Sequence, residues 1–191
     1  YRLALLFAVG LPLVLLIWAT ARREQALVRL LTLYWQGSSL LGITVLLMVD
    51  GVPLAFLTGA AANLFILIGL WFWADLNEEL ADLPPYRALP LTVRCWRWAM
   101  TLLCMVGLVL SVTALGCGLS DASAPLCQLW MEAPRQFHDR LAVLLGFLFG
   151  GSWTATISAF FGYMGLAAYG VGLIQFLVVR LPKQGRLAGG F

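Results

Sequence analysis

Charged residues are scarce in this chain, and histidine is almost absent. Asp, Glu, Lys and Arg make up 11% of the 191 residues, and His138 is the single histidine. A soluble domain carries about 25% charged residues, so the composition excludes an ordinary soluble protein. One histidine cannot supply two axial ligands to a b-type haem, and no His and Cys cluster has zinc spacing. Phosphate-binding loops and nucleophile motifs are also absent from the sequence, so we expect a protein that is not an enzyme.

Long apolar runs take the place of these features, since 62% of the residues are hydrophobic. About 20 apolar residues cross the roughly 30 Å hydrocarbon core of a bilayer. The runs are continuous rather than alternating, which favours helices over a membrane β-barrel. We therefore predict an all-α integral membrane protein, a single helical membrane domain over residues 1–191 with about five transmembrane helices. The predicted spans are residues 3–20, 30–49, 54–73, 98–116 and 158–179.

The basic residues lie at the ends of these runs, in alternating loops. Arg22 and Arg23 follow the first run, whereas Arg180 and Lys183 follow the last. Cytoplasmic loops carry an excess of Lys and Arg, so we predict an N-terminus outside and a C-terminus in the cytoplasm. The same rule predicts an inner loop at 74–97 and an outer loop at 117–157. The net charge of +3 forms no patch, so we expect the bilayer, and not a nucleic acid, as a partner.

The last third of the sequence allows two interpretations. Residues 141–179 are long enough for two spans, which would give six in all. Two spans would place Arg180 and Lys183 outside, against the charge rule. We therefore favour one span there, with Leu141–Trp153 as a short interfacial or re-entrant helix on the outer side, broken at Gly150 and Gly151.

The N-terminal region has a similar ambiguity. The chain begins at Tyr1 rather than Met, so we expect further residues to precede it. Ala19, Thr20 and Ala21 resemble a signal-peptide cleavage site after an apolar run. Positive charge follows at once at Arg22, which is typical of a retained span, so we favour a transmembrane helix.

Small residues recur four positions apart, a spacing that lets helices approach closely in lipid. The pattern indicates a packed bundle. The pairs are Ser38 with Gly42, Ala55 with Gly59, Gly146 with Gly150, and Ala168 with Gly172.

Polar residues inside the predicted spans are few, and none of them is ionisable. Gln36 and Asn63 are the most prominent. We expect interhelical hydrogen bonds from them, with pigment contact as the alternative. His138 is predicted to lie in the outer loop, either as a solvated interfacial residue or as an axial ligand to a chlorophyll magnesium. The candidate cofactor-binding residues are thus His138, Gln36 and Asn63, toward chlorophyll or carotenoid.

The four cysteines divide by predicted location. Cys104 lies in the fourth span and Cys95 just before it, whereas Cys117 and Cys127 both lie in the outer loop. That loop faces the oxidising side in the predicted topology. We therefore predict a Cys117–Cys127 disulfide, with two free cysteines as the alternative.

The inner loop has the richest chemistry. Leu76, Leu80 and Leu83 recur at helical spacing, and Pro84 then ends the helix. We expect a solvated helical extension whose carboxylates pair with Arg94 or Arg97. The loop is acidic at one end and basic and tryptophan-rich at the other, which predicts a docking surface. The predicted partner-binding residues are Asp75, Glu78, Glu79, Arg94, Trp96 and Arg97.

Several of these runs resemble a family of small, uncharacterised multi-span membrane proteins of cyanobacteria. The similarity rests on residues 71–79, the Trp96-Arg97-Trp98 run and residues 180–186, and it extends to the opening residues 1–19. It departs around 141–156, which looks like an insertion. The family carries no catalytic residues over to this chain. The resemblance implies a cyanobacterial membrane, the thylakoid, with photosynthetic neighbours.

Three functions are compatible with these features. The first is a non-catalytic accessory or assembly subunit of a photosynthetic membrane complex, a photosystem. The second is a small transporter or channel component, because interrupted helices at membrane depth line transport sites. The third is a membrane enzyme acting on lipid or isoprenoid, with Asp75, Glu78, Glu79 and Asp82 as its only possible metal ligands. We favour the first.

Overall fold

The computed structural model describes residues 5–119 and 125–184, and this part of the chain is helical with no strand. A π-helical turn, Leu6–Gly10, precedes the first helix, and a second, Phe176–Arg180, precedes the last. The helices are α1 (Leu11–Arg22), α2 (Gln25–Val49), α3 (Leu54–Trp71), α4 (Ala74–Asp82), α5 (Ala88–Leu119), α6 (Pro125–Phe149), α7 (Ala155–Gln175) and α8 (Leu181–Gln184).

Four helical segments of the described chain are long and apolar enough to cross a membrane. They are Gln25–Val49, Leu54–Trp71, Ala88–Ala114 and Ala155–Lys183. The predicted first span corresponds to a shorter apolar helix, Leu6–Arg22. At 1.5 Å per residue its length is about 26 Å, less than the roughly 30 Å of the hydrocarbon core. The count is therefore four full-length candidates and one shorter helix, rather than five spans.

The loops around the predicted fourth span are shorter than expected. Helix α5 begins at Ala88, ten residues before the predicted span at 98–116, so Arg94 and Arg97 lie within the helix. Helix α6 fills much of the predicted outer loop, and the separate short helix at 141–153 is wrong. Residues 125–140 contain Pro134 and several charged residues, so they do not form an apolar run although they are helical. The break falls at Gly150, whose φ of +69° suits glycine.

The predicted helix in the inner loop is confirmed. Helix α4 ends at Asp82, ahead of Pro84, and its Leu76 and Leu80 side chains are buried. The turn between α2 and α3 contains Gly51 at a φ of +73°. Glycine adopts this left-handed conformation without a steric penalty.

The helices form two compact units. The first comprises residues 5–38, 63–107 and 174–184 of the described chain. In its core, Tyr34 and Trp96 meet edge to face with ring centroids 4.9 Å apart. The Tyr34 hydroxyl donates to the Ala8 carbonyl at 2.6 Å, and the Trp96 indole N–H donates to the Phe7 carbonyl at 3.2 Å. These bonds hold the π-helical turn against α2 and α5.

The second unit comprises residues 39–62, 108–119 and 125–173 of the described chain. Thr44 donates to Thr58 at 3.0 Å in its interior, linking α2 to α3. On α7, Gly162 lies so close to Leu47 that an added Cβ would be 2.8 Å from Leu47 Cδ2. The buried core of this unit consists of Leu47, Met48, Ala55, Phe56, Ala114, Cys117, Cys127 and Met131.

Candidate functional site

A pocket of about 630 Å³ lies within the first unit, between α4 and the start of α5. Its wall is mostly apolar, and its polar groups are two guanidinium groups and one amide. It is lined by Leu27, Trp71, Asn77, Leu80, Ala81, Leu83, Pro90, Val93, Arg94, Arg97 and Trp98.

Arg97 is the most buried charged group of the site, with 8% of its surface exposed. Its guanidinium donates to the Leu70 carbonyl and to the Asn77 side-chain oxygen. Both acceptors are neutral. Its Nε is buried and has no hydrogen-bond partner in the described part of the chain. The charge is therefore held by dipoles, and one donor remains to be satisfied.

Trp71 provides the aromatic wall beside this charge. The Arg97 guanidinium carbon lies 3.8 Å from the Trp71 ring centroid, a cation–π contact. The Trp71 indole N–H donates to Thr101 at 2.9 Å, which fixes the orientation of the ring. The Trp98 ring packs against the Trp71 ring, and the two ring centroids are 5.0 Å apart.

The Arg94 side chain caps the C-terminal end of α4. One of its guanidinium nitrogens donates to the carbonyls of Leu80 at 3.0 Å, Ala81 at 3.2 Å and Leu83 at 3.4 Å. Carbonyls at a helix C-terminus lack intrahelical partners and carry partial negative charge, so a cation stabilises them.

The expected pairing of the α4 carboxylates with Arg94 or Arg97 is wrong. Glu79 instead forms its ion pair with Arg29 of α2. Arg94 bonds to backbone carbonyls and Arg97 to neutral acceptors, so neither takes part in an ion pair within the described residues. The reason is geometric. Glu79 lies on the side of α4 that contacts α2, whereas the side chain of Arg94, from α5, contacts the C-terminal end of α4.

The residues predicted to contact a partner are divided between surface and interior. Glu78 is exposed, and Arg94 is half-buried. Trp96 is 2% exposed and packs on Tyr34, so its indole is not on the surface. Arg97 is likewise interior. Asp75 is half-buried and Glu79 is exposed, and a docking role remains a prediction for the residues of this set that reach the surface.

The predicted pigment contacts fall in both units, and their role stays a prediction. Gln36 and Asn63 belong to the first unit and His138 to the second. Asn63 lies against Gly107, where an added Cβ would be 2.9 Å from its side-chain oxygen. This close approach brings Asn63 of α3 to α5, and the expected interhelical hydrogen bond stays a prediction.

His138 lies on α6 rather than in a loop, and its side chain is 11% exposed. Its Nδ1 is 3.6 Å from an Asp139 carboxylate oxygen. Its Nε2 is buried and unpartnered within the described residues. The imidazole is thus more enclosed than a solvated loop histidine would be.

Cysteine placement follows the predicted division. A disulfide joins Cys117 of α5 to Cys127 of α6, with Cα atoms 5.7 Å apart. Cys95 and Cys104 are free thiols, the first exposed and the second buried.

Metal-binding geometry is absent from the part of the chain that the structure describes. No three His, Cys, Asp or Glu residues there are grouped closely enough to hold an ion. Asp75, Glu78, Glu79 and Asp82, the possible ligands of a membrane enzyme, follow one short helix without converging.

Sequence reasoning missed the pocket itself, because its walls form only when α2, α3, α4 and α5 pack together. One signal was present: Arg97 stands between Trp96 and Trp98 in an apolar run. A cation in such a run must find a partner in the fold, and the partners here are Trp71 and Asn77.

The model of a family described as "Protein of unknown function (DUF3177)" matches residues 1–189. The matched range runs through residues 141–156, which the sequence reading treated as an insertion. No curated protein matches the chain, and no solved structure matches it. The chain therefore belongs to the DUF3177 family.

Proposed function

We propose that this member of the DUF3177 family is a non-catalytic integral membrane subunit that takes part in, or assists the assembly of, a larger membrane protein complex. The photosynthetic setting implied by the sequence resemblance makes a thylakoid photosystem the first partner to test. An exposed helix surface supports membership of a complex, whereas the choice of a photosystem rests on the sequence resemblance alone.

The observation that carries the structural part is the exposure of the last candidate span. None of the most apolar window of Ala155–Lys183 is buried, whereas 44% of that of Gln25–Val49 is. Isolated exposed apolar side chains are ordinary for a membrane helix, since lipid tails solvate them. The apolar window of this helix is therefore open to lipid or to a second protein, whereas Ser158, Ala159 and Gly162 near the helix start are buried.

Small residues on this surface favour a second protein. Ala168 and Gly172 are both exposed and four residues apart on one face of α7. A Cβ added at Gly172 would meet nothing within 4 Å. Among the described residues nothing therefore occupies the space beside Gly172, and small-residue pairs of this kind allow close helix contact in lipid. Another transmembrane helix would fit there.

The distribution of charge supports the proposed orientation. Of the Lys and Arg residues in the described chain, all but Arg135 and Arg140 belong to the first unit. By the positive-inside rule, the loops of that unit lie on the cytoplasmic side and the C-terminus with them. The Cys117–Cys127 disulfide belongs to the second unit, consistent with an oxidising outer side such as a lumen.

Pigment binding by this chain is the least supported element. A chlorophyll magnesium takes an axial imidazole nitrogen, and His138 Nε2 is a buried nitrogen without a partner among the described residues. His138 therefore fits such a role. Gln36 and Asn63 already have interactions within the protein, and they remain weaker candidates.

The test is a gentle purification followed by substitution on α7. A C-terminally tagged protein is solubilised from native membranes, and the eluate is analysed for its subunits and its absorbance spectrum. Co-purification of photosystem subunits, lost in Ala168→Leu and Gly172→Leu, is the expected result. Ala167→Leu is the matched control, because it adds the same volume about 100° around the same helix.

Two results would contradict the proposal. A solitary protein in mild detergent would leave no complex to join, and it would direct attention to solute flux in liposomes, the transporter alternative. Equal recovery of the partner with all three variants would remove α7 as the contact. Chlorophyll in the eluate that disappears only in His138→Leu would assign pigment to this chain, whereas chlorophyll retained in that variant would assign it to the partner.

A further inference from the structure

We infer that the pocket beside Arg97 binds the anionic headgroup of a membrane lipid, with a phosphate or sulfonate oxyanion against Arg97 and an acyl chain along the apolar wall. This site is independent of the proposed function, since it concerns a ligand of the isolated protein.

Uncompensated positive charge is the first reason. Two guanidinium groups line the pocket, and none of its lining residues is Asp or Glu. The ion pairs of the first unit, Arg29 with Glu79 and Arg87 with Glu24, leave Arg94 and Arg97 without a carboxylate in the described chain. Burying a cation is costly unless a charge of opposite sign accompanies it. An anion in the pocket would supply that charge.

An unsatisfied donor is the second reason. The Nε of Arg97 is buried and has no hydrogen-bond partner in the described part of the chain. Only 8% of the surface of Arg97 is exposed, so solvent does not replace that partner. Buried guanidinium donors are normally satisfied, and oxyanions accept from them at short range with about twice the strength of neutral acceptors. A tetrahedral oxyanion in the pocket would supply negative charge beside this enclosed donor and would accept hydrogen bonds from the guanidinium groups that line the pocket.

The shape and lining of the pocket indicate a lipid rather than a small soluble ion. A volume of about 630 Å³ far exceeds a phosphate group, whose neighbours would be polar in a dedicated phosphate site. Apart from the two arginines and Asn77, the wall is formed by leucines, Ala81, Pro90, Val93 and two tryptophans. Tryptophan is typical of the membrane interface, where one end of a ligand is polar and the other apolar. An anionic lipid has that division.

The experiment titrates purified protein in neutral detergent with phosphatidylglycerol and follows bound lipid by native mass spectrometry. Phosphatidylcholine and inorganic phosphate are titrated in parallel, because they separate charge from chain. We expect phosphatidylglycerol to bind and the other two to bind at least tenfold more weakly. Arg97→Gln removes the charge-assisted contacts, which corresponds to a loss of about tenfold to hundredfold in affinity.

Arg97 also holds Leu70 and Asn77, so its replacement could disturb folding. Ala81→Trp provides a second variant, since it narrows the pocket and leaves every cation in place. Arg22→Gln and Ala88→Trp are the matched controls: they make the same changes at exposed positions outside the pocket. Lipid binding lost in Ala81→Trp and retained in both controls would support the site.

Three results would overturn the inference. Equal binding of phosphatidylcholine would remove the role of charge. Unchanged phosphatidylglycerol affinity in Ala81→Trp and Arg97→Gln would place the lipid elsewhere. Inorganic phosphate binding as tightly as the lipid would identify a free anion, and not a lipid, as the ligand.

Discussion

A methyl group added at Gly162 should destabilise the second unit, although alanine is the better helix former. The added Cβ would lie 2.8 Å from Leu47 Cδ2, 2.9 Å from its Cγ and 3.3 Å from its backbone nitrogen. Leu47 is 0% exposed and belongs to the core of this unit, so it has little room to move. Overpacking of this kind typically costs about 1–3 kcal/mol.

Comparison with Gly170→Ala separates the cost of overpacking at Gly162 from the gain in helix propensity. Its Cβ would meet nothing within 4 Å, so this variant receives only the helix-propensity gain of roughly 0.5–1 kcal/mol. Both glycines lie on α7, and the gain is common to both variants. We therefore expect Gly162→Ala to be less stable than Gly170→Ala by about 1–3 kcal/mol. Steric-trap unfolding in bicelles measures the free energy of unfolding of each.

A double variant tests the mechanism. Leu47→Ala alone should cost about 2–5 kcal/mol, because it leaves a cavity. Once Leu47 is truncated, Gly162→Ala should cost much less, because only the 3.3 Å contact with the Leu47 backbone nitrogen remains, so the two changes should be non-additive. Equal stability of the two alanine variants, or strict additivity with Leu47→Ala, would refute the close approach of α7 to α2 at this position.

Three further predictions concern other parts of the molecule. Reduction of Cys117–Cys127 should lower the free energy of unfolding by about 3 kcal/mol, because the open loop regains entropy; an unchanged unfolding curve in Cys117→Ser with Cys127→Ser would contradict this. Thr44→Val and Thr58→Val should show a coupling of about 0.6 kcal/mol in a double-mutant cycle, from their shared hydrogen bond, and zero coupling would exclude it. Tyr86 is 83% exposed in the α4–α5 loop, so Tyr86→Cys in a Cys95→Ser background should react with an impermeant maleimide in sealed thylakoid vesicles, whose outer face is the cytoplasmic one. Labelling only after the vesicles are opened would reverse the proposed orientation.

Much of the helical architecture could be predicted, because hydrophobic run length and local signals are properties of contiguous residues. The α2, α3 and α7 regions follow from their apolar runs, and α4 follows from its leucine spacing and Pro84. Helix α6 was missed because its charges and Pro134 interrupt the apolar pattern, although they do not prevent a helix. The Cys117–Cys127 pair was proposed from a shared loop, and the structure joins the two cysteines.

The candidate site required the fold, because its contacts join residues far apart in the chain. Arg29 and Glu79 are 50 positions apart, and nothing local to Glu79 favours Arg29 over the nearer Arg94. The burial of Trp96 also depends on a distant residue, Tyr34. For aromatic and basic residues at a helix start, the sequence does not show whether the side chains face a partner, lipid or the interior.

By itself, the sequence determined that this chain is helical and apolar enough for a membrane, since both properties follow from composition and from runs of neighbouring residues. It also determined where α4 ends, through the geometry of proline. The tertiary structure alone decided that Arg97 lies over Trp71 and that a pocket opens beside it. Packing selects such pairs by shape and by the need to satisfy a buried charge, and neither is encoded in the order of adjacent residues.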